Sequence, residues 1–321
     1  MNRRNILILA GSTTALGTTG LLAGCGGSDG PAPQPNIVQV AQATPSLSIL
    51  VEAVVAAGLV DTLSGPGPFT VFAPTNDAFV ALLGELGVTK DALLKDTALL
   101  KTVLTYHVLG AKVEKAGIPI GKKITSLQKS IFKIDTPAGG ALSITDGRNR
   151  NSKITATDVQ ASNGVVHIID KVILPANKNI VETAVLKAPE FTTLVAAVDA
   201  AELRATLSGP GPFTVFAPTN AAFATAATTL GLTGVADFLL PANKALLTKI
   251  LKYHVVSGTV LKAEIPVGAA IPTVQGETIS ISAAFAITDK TAIKSNIIIA
   301  DVFTSNGVIH AIDKVILPTL P

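Results

Sequence analysis

The sequence predicts an α+β protein made of two copies of one domain. The ten residues GPFTVFAPTN at positions 67–76 return unchanged at positions 211–220. In each copy, segments with helical spacing come first and β-branched runs follow, which is the order typical of the α+β class rather than of alternating α/β folds. The chain has 321 residues, of which 48% are hydrophobic, enough to build two sizeable cores.

The repetition extends well beyond the ten shared residues. The apolar stretch 47–63 aligns with 191–207, and SNGVVHIIDKVILP at 162–175 returns as SNGVIHAIDKVILP at 305–318. These matches predict a first repeat at residues 36–175, a linker at 176–178 and a second repeat at 179–318. Because the linker is so short, we expect the two repeats to touch or to move little relative to one another.

The first half of each repeat carries helix signals. Leu50, Val51 and Val54 have the spacing of one helix face, and the second repeat keeps three apolar residues at the equivalent positions. Further along, the FTVF segment starting at Phe69 is β-branched and aromatic, so it predicts a strand. Thr75 or Asn76 is then expected to cap the following helix.

The second half of each repeat carries strand signals. Residues 153–159 and 165–174 are predicted as strands, and the Asn-Gly pairs at 163–164 and 306–307 predict type I′ hairpin turns. His167 and His310 fall inside the later strands. A single histidine in a strand is usually a hydrogen-bonded structural residue, and we predict that role for both.

The only tyrosines of the chain, Tyr106 and Tyr253, are each followed by a histidine. His107 is placed on the apolar face of a helix by its spacing from the leucines and valine that precede it, and His254 repeats the pattern. This spacing predicts a partly buried histidine that completes a helix.

The N-terminus predicts export and lipid attachment. Two arginines precede an apolar run, and the run ends in Leu-Ala-Gly-Cys25, which resembles a bacterial lipobox. The resemblance implies a signal peptide at 1–24, diacylation of Cys25, and a Gly/Pro-rich flexible tether at 25–35. Two or more acyl chains hold a protein stably on a membrane, so we expect a lipid-anchored, extracytoplasmic protein at the periplasmic face or the cell surface.

Composition and motifs exclude several functions. Cys25 is the only cysteine, so no internal disulfide is possible. Removing the two leader arginines from the 25 basic residues leaves 23 against 22 acidic ones, which provides no electrostatic footprint for nucleic acid. The four histidines form no zinc-binding motif, and nucleophile-elbow and phosphate-loop motifs are absent. We therefore expect no catalytic residue, cofactor or metal, and we interpret the basic segment 148–150 as a solvated hairpin turn.

The two shared blocks, GPFTVFAPTN and NGVVHIIDKVILP, resemble the two signature motifs of the fasciclin-like (FAS1) family. The resemblance covers residues 36–318, occurs twice in order, and includes the Tyr-His pair between the blocks. It implies domains built from a β-wedge with a helical cluster, and a role in cell adhesion or extracellular matrix rather than catalysis. In animal relatives the Tyr-His pair is implicated in integrin binding, which makes Tyr106, His107, Tyr253 and His254 a candidate adhesion motif. Their place on an apolar face favours a structural role instead.

Two hypotheses follow. The first is a membrane-anchored adhesion or interaction protein, non-catalytic, whose partner is a protein or polysaccharide at the cell surface or in the matrix. The second is a binder of an apolar ligand such as a carotenoid or lipid, because some relatives of this fold hold carotenoids and both repeats are rich in aliphatic residues. An enzyme ranks third.

Overall fold

A computed structural model describes residues 34–187, 189–291 and 294–320. Each repeat forms a seven-stranded sheet with a group of helices, as the α+β prediction required. The first repeat contains α1 Ile37–Gln42, α2 Ser48–Ala56, α3 Val60–Ser64, β1 Phe69–Pro74, α4 Asn76–Leu86, α5 Lys90–Lys95, α6 Thr97–Tyr106, β2 Val108–Leu109, β3 Lys123–Thr125, β4 Ile131–Asp135, β5 Ser143–Thr145, β6 Asn151–Ala161 and β7 Gly164–Ile169. The second contains α7 Ile180–Leu186, α8 Thr192–Ala200, α9 Arg204–Ser208, β8 Phe213–Pro218, α10 Asn220–Thr229, α11 Val235–Phe238, α12 Lys244–Tyr253, β9 Val255–Ser257, β10 Ala270–Pro272, β11 Thr278–Ile281, β12 Ala286–Thr288, β13 Lys294–Thr304 and β14 Gly307–Ile312.

The two sheets share one topology. The strand order in the first repeat is β2-β1-β7-β6-β5-β4-β3, and the second repeat has the same order with β9, β8, β14, β13, β12, β11 and β10. The shared phrase FTVFAP forms β1 and β8, which pair in parallel with β7 and β14, while the other pairings are antiparallel. The repeated phrase thus forms the second strand from one edge of each sheet, where the chain passes from strand to helix.

Each repeat buries two apolar clusters. In the first repeat, one cluster lies between the helices and β1 and includes Leu50, Phe79 and Leu104. The other lies among the strands and includes Phe72 and Phe132, whose rings meet edge to face. The second repeat has the same two clusters in its own residues, and a third, small cluster of Leu261, Phe303 and Val308 packs against Ile131 of the first repeat. Each repeat therefore has a core of its own.

The two residues after β1 stabilise the starts of two different helices. Thr75 is the N-cap of α4, and its hydroxyl accepts a hydrogen bond from the backbone N–H of Ala78 at 3.3 Å. Asn76 instead reaches back along the chain, where its carbonyl accepts from Ile49 N–H and its amide donates to Pro45 O. Asn76 thus fastens the start of α2 to the start of α4.

The type I′ prediction for the Asn-Gly pairs is wrong. The two-residue loop between β6 and β7 is Ser162–Asn163, and neither residue has a positive φ. Gly164 is instead the first residue of β7, and a Cβ there would lie 2.1 Å from the carbonyl oxygen of Phe69 on the parallel strand. The glycine is required by the close approach of two strands, not by turn geometry.

Asn163 holds three chain segments together. Its carbonyl oxygen accepts from Ile37 N–H at 3.0 Å, and its amide donates to Leu63 O at 2.8 Å and Gly65 O at 2.9 Å. Asn306 makes the same three bonds in the second repeat. The asparagine is conserved between the copies of the phrase because it ties the helices to the sheet.

The last predicted strand ends early, at Ile169 rather than at residue 174. The carboxylate of Asp170 accepts from Lys153 N–H at 2.7 Å, near the start of β6. Beyond it, Ile173 N–H and Leu174 N–H donate to the side chains of His107 and Asp146. Because side chains take up these backbone donors, the buried segment does not join a sheet.

Candidate functional site

Tyr106 is the last residue of α6 and is completely buried. Its hydroxyl donates to Ile131 O at 2.7 Å and accepts from Gly147 N–H at 2.9 Å. Burial raises the pKa of this phenol far above its ordinary value. The side chain thus links the end of a helix to β4 and to the loop between β5 and β6.

His107 follows directly and is 1% exposed, so it is more deeply buried than the sequence predicted. Its Nδ1–H donates to Val103 O at 2.7 Å, and its Nε2 accepts from Ile173 N–H at 3.1 Å. This pair of bonds fixes a neutral ring with the proton on Nδ1. Burial lowers the pKa of His107 to about 4, so the ring stays uncharged at neutral pH.

The second repeat reproduces this arrangement. The Tyr253 hydroxyl donates to Thr278 O at 2.9 Å, while His254 contacts Ile250 O at 2.8 Å and accepts from Ile316 N–H at 3.0 Å. Burial lowers the pKa of His254 to about 4 as well. All four residues of the candidate adhesion motif therefore lie inside their repeats, where their polar atoms bind the protein's own backbone.

The ring nitrogens of the two strand histidines also form hydrogen bonds within the fold. His167 contacts Val113 O through Nε2 at 2.9 Å and accepts from Asp158 N–H at Nδ1, and His310 does the same with Val260 and Asp301. All four histidines of the chain thus use both ring nitrogens within the fold. None offers a free nitrogen for proton transfer or metal binding.

The basic segment 148–150 is not a solvated turn, contrary to the sequence interpretation. Arg150 donates to the buried carboxylate of Asp146 through Nε and Nη2, to Glu85, and to Val172 O. The Asp146 carboxylate also accepts the backbone N–H groups of Arg148 and Arg150. The turn is folded around a buried acid, which sequence spacing alone does not reveal.

The two repeats touch, as the short linker predicted. Lys133 on β4 places Nζ 2.8 Å from Asp301 Oδ2, and the amide of Asn149 both donates to Phe303 O at 3.0 Å and accepts from Phe303 N–H at 2.7 Å. Lys123, on the edge strand β3, donates to Thr259 O at 3.0 Å. These contacts join side chains of β3, β4 and the loop before β6 to the second repeat.

Sequence reasoning missed these contact residues because it concentrated on what the copies share. Lys133 aligns with Ser280, and Phe303 aligns with Gln160. Asp301, in contrast, aligns with an identical residue, Asp158. Neither the matches nor the differences between the copies show by themselves which residues meet across the boundary.

A cleft of about 450 Å³ lies beside the contact between the repeats. Residues of the first repeat, among them Lys129 and Ser130, form one side, and Pro210, Pro212 and Ser305 of the second form the other. Its walls mix hydroxyls, backbone and proline rings with one lysine. It is a groove of the size that small ligands or peptide segments occupy.

The predicted lipidation residue, Cys25, lies outside the described residues, as do the leader and most of the tether. Within the described parts of the chain, three or more acidic, histidine or cysteine side chains nowhere gather into a metal-binding group. In the same parts, no helix is both long and apolar enough to cross a bilayer.

Comparison with known proteins identifies the family to which the chain is related. The fasciclin domain model matches it twice, at residues 45–175 and 189–318. The chain is 32% identical over 261 residues to transforming growth factor-beta-induced protein ig-h3 of Sus scrofa, a match that covers 80% of this chain and 35% of that protein. It thus spans about a third of that relative's length.

Two further likenesses bear on the repeats. Protein sll1483 of Synechocystis sp. is 46% identical over 144 residues, covering 43% of this chain and 73% of that protein. A solved FAS1 domain pair from the insect cell adhesion molecule fasciclin I aligns over 86% of this chain and 97% of that one, with a TM-score of 0.42 and 16% identity. With two matches to the family model that together span most of its length, the chain belongs to the fasciclin domain family.

Proposed function

We propose that this protein is a lipid-anchored, extracytoplasmic adhesion or interaction protein that acts without catalysis. One observation carries the proposal: the two fasciclin repeats contact each other, and the tyrosine and histidine residues of the candidate adhesion motif are buried inside them. The surface left for a partner is then the outside of the pair, including the cleft between the repeats.

The side-chain chemistry supports a non-catalytic role. A general base must have a free lone pair within reach of a substrate. The histidine ring nitrogens are all engaged by backbone groups, and the two tyrosine hydroxyls are engaged and buried. The polar groups best suited to acid–base chemistry are thus committed to the fold.

The lipid anchor in this proposal depends on Cys25 and is tested in a separate experiment. Cys25→Ala in the full chain is expected to move the protein from the membrane fraction to the soluble fraction, or to leave an uncleaved precursor. Cell fractionation and the mass of the mature N-terminus measure both. Unchanged processing and membrane association in the variant would overturn the anchor.

The partner part is tested by capture. The full chain, displayed on beads, is incubated with intact cells and with extracted cell-surface polysaccharide. We expect saturable binding by the wild-type chain. Binding should fall when Lys129→Glu and Ser305→Arg obstruct the cleft. It should be unchanged in the control variant Lys153→Glu, whose substitution lies at an exposed position. The absence of saturable binding to either material would contradict the proposal.

The apolar-ligand hypothesis gains less from the structure. The apolar cavities within the repeats measure about 30 to 100 Å³. Sites for drug-sized ligands measure roughly 300–1,000 Å³. A whole carotenoid needs far more space than these cavities provide, so we favour the interaction role.

A further inference from the structure

We infer that the first repeat contains a binding site for a short aliphatic carboxylate, formed by Arg148 over a leucine-lined cavity among α4, α5 and α6. This site is separate from the surface contacts of the proposed function and does not depend on them. Two independent observations carry it: the shape and lining of the cavity, and a half-buried arginine whose buried Nε has no hydrogen-bond partner among the described residues.

The cavity has a volume of about 80 Å³. Leucines from three helices form its walls, including Leu82, Leu93 and Leu100, and Leu174 also lines it. Leu86 lines the cavity as well and is exposed, so it marks the mouth. An apolar space of this size accepts a chain of about three to four carbons, given that roughly 150 Å³ of leucine-lined cavity holds a benzene molecule.

Arg148 supplies the charge. Its side chain lines the cavity, and its Nε is buried without a hydrogen-bond partner among the residues that the structure describes. The nearby carboxylates of Asp146 and Glu85 bind the Arg150 guanidinium. Burial, together with the neighbouring Arg150, lowers the pKa of Arg148, and the carboxylates of Asp146 and Glu85 offset this only in part.

These features specify the ligand chemistry. A buried N–H of a guanidinium that has no acceptor is costly, and a carboxylate satisfies it with a charge-assisted bond. The apolar walls select an aliphatic group next to that carboxylate. The ligand is therefore an aliphatic acid, whose source is either a free short-chain fatty acid or the C-terminal leucine or valine of a polypeptide.

The second repeat provides an internal contrast. Thr291 stands where the first repeat has Arg148. Phe238 of α11 is buried and packs edge-on against Phe223, the counterpart of Phe79. The arginine and the open leucine-lined space thus occur together in the first repeat.

The test is isothermal titration of the full chain with pentanoate, with 1-pentanol as the uncharged analogue. The expected result is saturable binding of pentanoate at one site and binding of pentanol that is at least about tenfold weaker, because only the acid pairs with the guanidinium. Competition by N-acetyl-leucine would point to a polypeptide C-terminus as the source, and its failure to compete would point to a free fatty acid.

Three variants make the test specific. Arg148→Gln should weaken pentanoate binding by at least about tenfold, and Leu93→Phe should weaken it by filling the cavity while leaving the arginine in place. Lys153→Gln removes an exposed charge of the same repeat and should leave binding unchanged. Arg148→Gln removes an unpaired cation, so its melting temperature should equal or exceed the wild-type value, which separates lost binding from lost folding. Absence of saturable pentanoate binding, or equal binding by wild type and Arg148→Gln, would overturn the inference.

Discussion

Lys133 and Asp301 form an ion pair across the boundary between the two repeats, with Nζ 2.8 Å from Oδ2. Asp301 is 5% exposed at its side chain, and its second oxygen accepts from Lys262 N–H within its own repeat. Burial alone would lower the pKa of Lys133, but the hydrogen bonds and charges of Asp301 and Asp135 outweigh it and raise the pKa. The lysine therefore stays charged. Its ammonium binds the Asp301 oxygen that does not accept the hydrogen bond from Lys262 N–H.

Lys133→Ser, which installs the residue found at the aligned position 280, should separate the repeats. We expect the free energy of unfolding to fall by about 1–3 kcal/mol, because a buried carboxylate loses a charged partner. Chemical denaturation measures the change, and small-angle scattering should show a larger radius of gyration. Lys153→Ser is the matched exposed control, and equal effects of the two substitutions would contradict the structural role of the pair.

Asn163→Gly distinguishes an anchor from a turn residue. A type I′ turn would tolerate glycine, whereas the structure predicts a loss of about 2–4 kcal/mol from three broken hydrogen bonds and the extra freedom of the unfolded chain. Asn306→Gly should behave alike, since its bonds are the same. Unfolding curves of both variants decide the matter. Wild-type stability in either one would restore the turn interpretation for that repeat.

The buried histidines predict a dependence of stability on pH. In the folded state, His107 and His254 have pKa values of about 4, below the ordinary value of 6.5. Between these values the unfolded chain binds more protons, so the free energy of unfolding is greatest above pH 6.5 and falls as the pH drops towards 4. Each histidine contributes roughly 3 kcal/mol to that fall.

Urea titrations at pH 7.5 and pH 4.5 test this dependence. A double variant, His107→Gln and His254→Gln, serves as the control and should lose much less stability over the same interval. Equal losses in the wild type and the double variant would show that other groups, not these histidines, set the acid sensitivity.

Residues 36–176 and 177–321 should each fold cooperatively when expressed alone, because each contains a complete sheet and its own two apolar clusters. Each half should nevertheless be less stable than in the full chain, because separation exposes the contact around Phe303 and Asp301. Thermal unfolding of the two halves and of the full chain makes the comparison. A full chain that melts cooperatively while neither half folds would mean that the repeats share one core.

Short-range regularities in the sequence predicted the fold class and the partial burial of the two histidines that follow the tyrosines. Helical spacing put His107 beside Val103 and Leu104, and the structure places it there with its ring sealed in the core. Each of these patterns occurs in both repeats, so each prediction could be checked against two copies of the sequence.

The failures concern partners that are distant in the sequence. Gly164 looks like a turn glycine until the parallel strand carrying Phe69 is seen against it. Arg150 looks exposed until α4 and the segment after β7 bring Glu85 and Val172 O to its guanidinium. Neither approach follows from local propensity, because each depends on which distant segments become neighbours.

The central claim is that the Tyr-His pairs hold the fold while recognition belongs to the outer surface of the docked repeats. The most direct test measures melting temperature and binding to cells or surface polysaccharide on the same samples of His107→Ala and His254→Ala. Leaving buried backbone groups unpaired should cost about 1–3 kcal/mol, so both variants should melt lower and any loss of binding should follow the fraction unfolded. Abolished binding at wild-type melting temperature would contradict the claim and make the pair a recognition site.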